Sequence, residues 1–460
     1  MATQFTAGSN RIALSNSQVQ TFTESGALVL DTRRRRPLYF DGRFLAARDL
    51  VREQDYFLQR QADLGRSAGF GIVHGLTVQQ LTAVDPVRKV MARVADGITI
   101  SSGQGVTPSG ELVLLPEDLN ISLGNLPEEQ KLDVRFGLGE VPLPPRRTRS
   151  GLYVLALRAV EFTANPIASY PTSIQGSRQT HDGDVVEATA VALVPYPDPG
   201  TNYEPSQRRS ALAWQVFSGS TVVKSKLNDS LLPLAIVSLQ RGVIEWLDQW
   251  LVRREVSADY AGPQFGLTDR ATQTAFLQQY DQQLREIVDQ RGQSGLTPNF
   301  AATQFFRLLP PVGRLPIQTI NFQAGTQSFF PAHLDVRLSI IPDDELPALF
   351  DDGLNLPPLD LTLRPDDYSQ LSVFTLVPVP RADFAALMNS LKPRELQPAV
   401  PQIVSFRRPI ELLQIYRQGL PTVSPAVVEN ANWKQAVGNN HFAFYTRRRS
   451  APQFVDFTNA

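Results

Sequence analysis

Apolar positions recur along this chain with two periods, and the period changes several times. Residues 1–37 set single apolar residues among Ser, Thr, Asn and Gln and close on Arg33, Arg34, Arg35 and Arg36. A segment with so little to bury predicts an extended N-terminal arm. Asp41-Gly42 then sits between Tyr39-Phe40 and Phe44-Leu45, a turn signal because both central positions tolerate positive φ. From Ala46 to Arg66 the period becomes helical. Leu50, Phe57 and Leu64 recur every seven residues with Val51 and Leu58 beside them, and Arg52, Glu53, Asp55, Gln59 and Arg60 take the other face. Gly65 and Gly69 end the helix, and its apolar stripe is expected to pack on the β domain that follows.

Beyond Phe70 short apolar runs alternate with turn residues. Val73, Leu76 and Val78, then Val94, Ile98 and Ile100, lead through Gly103, Gly105, Pro108 and Gly110 into Leu112–Leu115. Leu152–Val160, Val185–Val194 and Leu231–Leu239 read as buried strands. Residues 38–238 are therefore expected to form a β-sandwich domain with one N-terminal helix. Residues 239–292 read as a helix hairpin. Leu239, Val243, Trp246, Leu247 and Trp250 mark the first helix; Leu277, Tyr280, Leu284, Ile287 and Val288 mark the second, which Gly292 ends. The second stripe is expected to be a self-association face, the alternative being packing on the neighbouring domains. Residues 293–420 return to strands, among them Val336–Ile341, Leu361–Leu363 and Ser372–Val377, with a short helix over Phe384–Leu391. Residues 421–460, with Trp433, Phe444, Tyr445 and Arg447, Arg448 and Arg449, read as an irregular C-terminal tail. The fold class is mixed α+β, mainly β.

Composition narrows the picture. At about 150 residues per domain, 460 residues allow roughly three domains. The net charge of -1 gives no global positive field for nucleic acid or anionic lipid. Cysteine is absent, which removes disulfides, thiolate nucleophiles and Cys-ligated metals. Met1–Val29 shows no signal-peptide pattern, and the longest apolar runs fall short of the ~20 residues a membrane helix needs, so no direct membrane insertion is expected. The 35 prolines exceed the usual ~5% and cluster in spaced loops, which suits a rigid β-rich body.

No motif carries a reaction. His74, His181, His333 and His441 form no helical metal-binding pair. His181-Asp182-Gly183-Asp184 lacks the ligands that would complete a calcium loop and reads as a solvated turn. No nucleophile elbow or phosphate loop is present, and Gly69-Phe70-Gly71 follows a helix rather than a strand. The acidic runs at 343–345, 351–352 and 366–367 are adjacent in loops, not opposed across a cleft. No catalytic, cofactor-binding or metal-binding residue is assigned and no enzyme activity is expected. The Arg33–Arg36 and Arg447–Arg449 clusters lie in the terminal arms, where the planar guanidinium suits acidic protein partners better than nucleic acid.

The stretch Leu38–Phe57, in which Gly42-Arg43-Phe44-Leu45 leads into a Gln/Asp-rich helix, resembles an N-terminal pattern of TssK-type baseplate proteins of type VI secretion. Gly105-Val-Thr-Pro-Ser-Gly110 is similar to a turn of that family, with Ser109 in place of its acidic residue, and Leu232-Pro-Leu-Ala235 also fits. The resemblance covers about a third of the chain. It implies a β shoulder over 38–238, a trimerising helical neck over 239–292 and a β head over 293–420 that meets a partner. The Arg-rich arm, the proline-rich third section and the tail depart from the pattern and favour an extracellular contractile injection system or a phage-type baseplate. The expectation is a non-enzymatic structural subunit of a baseplate or tail-tip assembly that links neighbouring components, assembles in the cytoplasm and forms a homo-oligomer. The alternative is a β-sandwich module that binds a receptor or glycan through aromatics such as Phe329 and Phe330.

Overall fold

The structure is a computed structural model, and it describes residues 14–25, 27–28, 35–40, 42–67, 69–84, 91–126, 149–169, 179–197, 205–218, 227–256, 270–364, 367–368, 371–391, 393–399 and 425–448. Helix α1 (Asn16–Glu24) opens on a capping box in which Ser15 and Gln18 satisfy each other's backbone N–H. Helix α2 (Ala47–Ser67) matches the seven-residue period. Next come β1 (Gly71–Gly75), β2 (Val78–Val84), β3 (Met91–Ile100), β4 (Gly103–Val106), β5 (Leu112–Leu115) and β6 (Leu119–Ser122). They form two three-stranded antiparallel sheets, β1-β4-β5 and β2-β3-β6.

Strands β7 (Gly151–Ser169), β8 (Gln179–Tyr196), β9 (Leu231–Gln240) and β10 (Val243–Asp248) form a four-stranded antiparallel sheet ordered β10-β9-β7-β8, with helix α3 (Pro205–Phe217) between β8 and β9. Ile72, Val78, Ile98, Val113, Leu155 and Leu234, from all three sheets, share one core. The helix expected over 239–250 is a β-hairpin instead. Arg241 and Gly242 both have positive φ (52° and 81°), which makes the tight turn that matches strand twist. A register irregularity between Ile244 and Trp246 puts Ile244 and Leu247, three residues apart, in one core and Trp246 in another. That bulge spaces apolar residues by three and four and mimics a helical stripe.

Helix α4 (Arg270–Gln293) is the long helix of the second half. After it come β11 (Leu308–Leu309), β12 (Val312–Pro316), β13 (Ile320–Asn321), β14 (Thr326–Gln327), β15 (Asp335–Pro342), α5 (Leu346–Gly353), β16 (Leu359–Asp360), β17 (Ser372–Val379), α6 (Arg381–Ser390), β18 (Arg394–Glu395), β19 (Gln397–Pro398), α7 (Pro425–Val437) and β20 (Phe442–Arg447). The main sheet is ordered β12-β20-β17-β15-β18, with β15 and β17 parallel and α5 in the crossover between them. Of the residues read as a tail, 425–448 are thus integral. Strand β20 lies between β12 and β17, and Trp433 and Tyr445 are fully buried. Aromatic residues in a stretch without local periodicity are covered here by strands more than 60 residues away in sequence.

The halves meet through a buried polar clamp. Arg209 on α3 donates from Nε to Asp248 on β10 (2.8 Å) and from Nη1 to Glu286 on α4 (2.6 Å). Asp248 also accepts from Gln279 Nε2 and the Trp250 backbone N–H. Burial opposes the charge on Arg209, but the carboxylates of Asp248 and Glu286 outweigh it and raise the pKa of the guanidinium.

Candidate functional site

Helix α2 is tied to the segment before it at its N-terminal end and to the body at its C-terminal end. At the N-terminus Asp49 Oδ2 accepts from the Ala46 backbone N–H (3.2 Å) and Oδ1 from Arg43 Nη2 (2.7 Å). The Ala46 bond, with Arg43 beside it, holds the Asp49 carboxyl below its usual pKa. Tyr39 donates its hydroxyl to Glu53 (2.6 Å), which ties the preceding segment to the helix. At the C-terminal end small residues allow contact with the 107–110 turn: a Cβ on Gly65 would overlap the Gly110 carbonyl oxygen, and Ala62 is buried. Gly110 itself needs glycine, since its φ is +94°. Arg66 Nη1 donates to the Ser109 carbonyl (2.6 Å).

These contacts use the small and polar face of α2 and leave the apolar face outward. Ala47, Leu50, Gln54, Phe57, Gln61 and Leu64 are all exposed, Leu50, Phe57 and Leu64 by 50%, 57% and 66%. These six are the a and d positions of three heptads, a complete seam with no partner among the described residues. The expectation that Leu50, Phe57 and Leu64 pack on the adjacent β domain is corrected: the body takes Ala62 and Gly65 instead, and Asp49 is held by Arg43 and Ala46. The apolar surface continues into the preceding segment, where Phe44 is 97% exposed and Leu38, Phe40 and Leu45 are exposed too.

Beside the C-terminal half of α2 runs a groove of about 1020 Å³, walled by Leu58 of α2, Leu112 and Leu114 of the edge strand β5, and the root of the β7–β8 pair. Glu111, Glu161 and Glu187 rim it, and Glu161 is directly opposite Glu187 across the strand pair. Partial burial and repulsion from those two carboxylates raise the Glu111 pKa, against the pull of Arg66. Beyond Arg158, where β9 ends its pairing, β7 and β8 continue as a two-stranded ribbon to Ser169 and Gln179. Phe162, Ile167 and Val185 are exposed on it.

The other residues singled out in the sequence lie elsewhere. Tyr280, Leu284 and Ile287 are buried in the chain's own core with Phe306, Phe329 and Tyr445, and Val288 packs against that core. Leu277 is half-buried. The Tyr280 hydroxyl donates to the Arg314 carbonyl (2.5 Å), so this face of α4 is an internal contact and a second copy has no access to its buried members. Phe329 and Phe330 are buried as well, which removes the aromatics offered for glycan binding. Arg35 and Arg36 are exposed; Arg33, Arg34 and Arg449 lie outside the described residues. Arg447 is anchored inside the fold, donating from Nη1 to the carbonyls of Pro357 and Pro358 (both 3.0 Å), and Arg448 sits 5.9 Å from the Phe374 ring centroid. His181-Asp182-Gly183-Asp184 belongs to β8, where Asp182 accepts from Thr163 and Asp184 from Asn165. Among the described residues no group of three His, Asp or Glu side chains is placed to hold a metal, and no helix is long and apolar enough to cross a membrane. The exposed seam and groove had one signal in the sequence, the seven-residue repeat, which does not say which way a stripe faces.

What stands out is a surface for protein contact. No family model matches the chain, and no curated protein matches it. Among solved structures it is similar to TssK, with a TM-score of 0.24 and 12% identity over 58% of this chain and 50% of that one. It is also similar to a chain of the type VI secretion system TssK-TssF-TssG baseplate subcomplex (TM-score 0.21, 13% identity, 57% of this chain and 71% of that one). A third is a chain of the baseplate complex from the type VI secretion system (0.20, 11%, 57% and 68%). The match thus spans half the length of the TssK chain. Superpositions at these TM-scores assign no fold and no residue roles, and the functional reading rests on the chain's own surface.

Proposed function

We propose that the chain is a structural subunit of a baseplate or tail-tip assembly of a contractile injection or phage-like particle, joined to its neighbours through residues 38–64. The observation that carries this reading is the heptad seam of α2, exposed along its whole length and continuous with Phe44 and Leu45. A contiguous apolar face of this kind marks a surface that another protein covers, and a seam of a and d positions is shaped for a second helix. The motif at Leu38–Phe57 lies in α2 and the segment before it, and that at Gly105–Gly110 in the turn that holds α2 down from the opposite side; they supply the baseplate part of the reading. No catalytic step belongs to it. The receptor- or glycan-binding alternative has no observation in its favour, because Phe329 and Phe330 are buried.

The test is incorporation into the native particle. Leu50→Asp with Phe57→Asp changes only exposed side chains, so the variant folds, as circular dichroism checks. Wild-type chain is expected to co-purify with the particle in fixed stoichiometry and the variant to be absent. A variant retained at the wild-type level overturns the proposal.

A further inference from the structure

We infer that two copies of this chain pair antiparallel along α2, and that the pairing brings the cationic segment before α2 of each copy to the acidic groove of the other. The inference rests on the reading of α2 as the joint and names the occupant of its seam. Three features of the helix single out a second copy in this orientation.

The first is charge. Helix α2 carries Arg48, Arg52, Arg60 and Arg66 against Asp49, Glu53, Asp55 and Asp63, so it meets its own copy without net repulsion. With Ala47, Gln54 and Gln61 at a and Leu50, Phe57 and Leu64 at d, the flanking g positions are Glu53 and Arg60. Orientation in a coiled coil is set by such flanking charges. In a parallel pair each g position faces an e position of the other helix, here Leu58 and Gly65, and no ion pair forms. In an antiparallel pair g faces g: Glu53 of one copy, which also accepts from its own Tyr39, meets Arg60 of the other, twice by symmetry. The same register sets Val51 against Leu58 on the opposite flank, layers Gln54 on Phe57 and Leu50 on Gln61, and seats Leu64 on the small Ala47. The second feature is symmetry: the contact is isologous, so it closes as a two-fold dimer.

The third feature is what the ends of the helices meet. At 1.5 Å per residue α2 is roughly 31 Å long, with Phe44 and Leu45 leading into its start, residues 35–40 tied alongside its first half through the Tyr39–Glu53 bond, and the groove beside its C-terminal half. Antiparallel pairing carries exposed Arg35, Arg36 and Phe44 of one copy to the end of the partner copy's helix, where the groove is rimmed by Glu111, Glu161 and Glu187. Glu161 and Glu187 face each other directly across the ribbon, a like-charge pair that a further cation favours beside the Arg158 that also lines the groove. Leu112 and Leu114, exposed by 58% and 48%, give the groove an apolar wall for the residues that follow the arginines.

The absence of cysteine makes a direct test simple. Ala47→Cys and Leu64→Cys chains, mixed under mild oxidation, are expected to give a disulfide dimer, whereas neither variant alone gives one. Positions 47 and 64 are roughly 25 Å apart on one helix, so the bond cannot form within a copy. Dimers from each variant alone show a parallel pair and overturn the inference, as does no dimer in the mixture. Glu53→Arg and Arg60→Glu are each expected to weaken association tenfold or more, and the double variant to restore it; a double variant no better than either single one overturns the assigned pairs. Light scattering of the wild-type chain is expected to give twice the 51.0 kDa chain mass. A monomer or a trimer there overturns this inference, while loss of the Leu50→Asp/Phe57→Asp chain from the particle still upholds the structural role.

Discussion

Replacing Arg209 by Met tests the clamp between the halves of the chain. The substitution keeps most of the apolar stem and removes the guanidinium. In the native fold the Arg209 and Asp248 side chains are 4% and 0% exposed and 2.8 Å apart, and Glu286 completes the clamp at 2.6 Å. Burial already pushes the Asp248 carboxyl above its usual pKa, with Arg209 pulling against it. Without Arg209 the carboxylate is buried with only Gln279 and the Trp250 N–H as donors. Breaking one partner out of a buried pair costs about 3–5 kcal/mol, most of it the stranded charge. The sign of the pH dependence follows. In the variant the folded-state carboxyl pKa lies above the unfolded value of ~3.9, so the deficit is smallest below that value and grows as pH rises through the raised pKa. Urea unfolding followed by fluorescence of Trp246 and Trp250, at pH 4.5 and 8, measures both effects. Arg209→Met with Asp248→Leu, which removes both charges, is expected to regain much of the loss. A loss below about 1 kcal/mol, equal at both pH values, refutes the reasoning.

Three further outcomes follow from the same geometry. Gly110→Ala forces a side chain into positive φ and against the Ala62 carbonyl; it is expected to cost about 1–2 kcal/mol through the backbone alone and to speed amide exchange across the C-terminal half of α2. Trp433→Ala empties a fully buried site beside Phe322 and is expected to destabilise the second half by about 3–5 kcal/mol in urea unfolding, which would show that 425–448 is core rather than tail. Asp49 has a depressed carboxyl pKa, so its contribution to the start of α2 is present above the usual value of ~3.9 and lost as pH falls through the depressed one. The protection of the Ala46 and Asp49 amides, measured against their intrinsic exchange rates, is expected to fall in acid, and the Asp49→Ala chain to show no such change.

Local chemistry was legible in the sequence where the answer is local. The seven-residue spacing of Leu50, Phe57 and Leu64 marks α2 and the stripe from Leu277 to Val288 marks α4, whereas Gly65, read as a helix end, lies inside α2 and allows its close approach to Gly110. The 241–242 turn was not, because Arg-Gly is a weak signal for a turn with two positive φ values, and the bulge after Ile244 disguised β10 as a helical stripe. Nor was β20 legible as an inner strand. Its partners β12 and β17 lie about 60 to 130 residues away, and pairing over such distances leaves no periodicity near Phe442–Arg447. Phe329 and Phe330 show the same limit: two adjacent aromatics read as an exposed patch, yet contacts from Phe300 and Tyr445 bury both.

The direction in which an amphipathic helix faces is the step that pattern cannot supply, and here it decides function. Helices α2 and α4 both carry an apolar stripe, and spacing alone makes either one a self-association face or a core element. The difference lies in what each meets. The α4 stripe has large complementary partners, Phe306, Phe329 and Tyr445, which enclose Tyr280 and Leu284 completely. The α2 helix meets a glycine turn on the opposite side, and Ala62 and Gly65 fit that turn because they are small. A leucine at position 62 or 65 would lift the helix off the turn, and among the described residues no apolar partner covers Leu50, Phe57 and Leu64. Holding α2 by its smallest residues leaves its largest ones to the solvent, and that exposed face is the one on which the proposed contact rests.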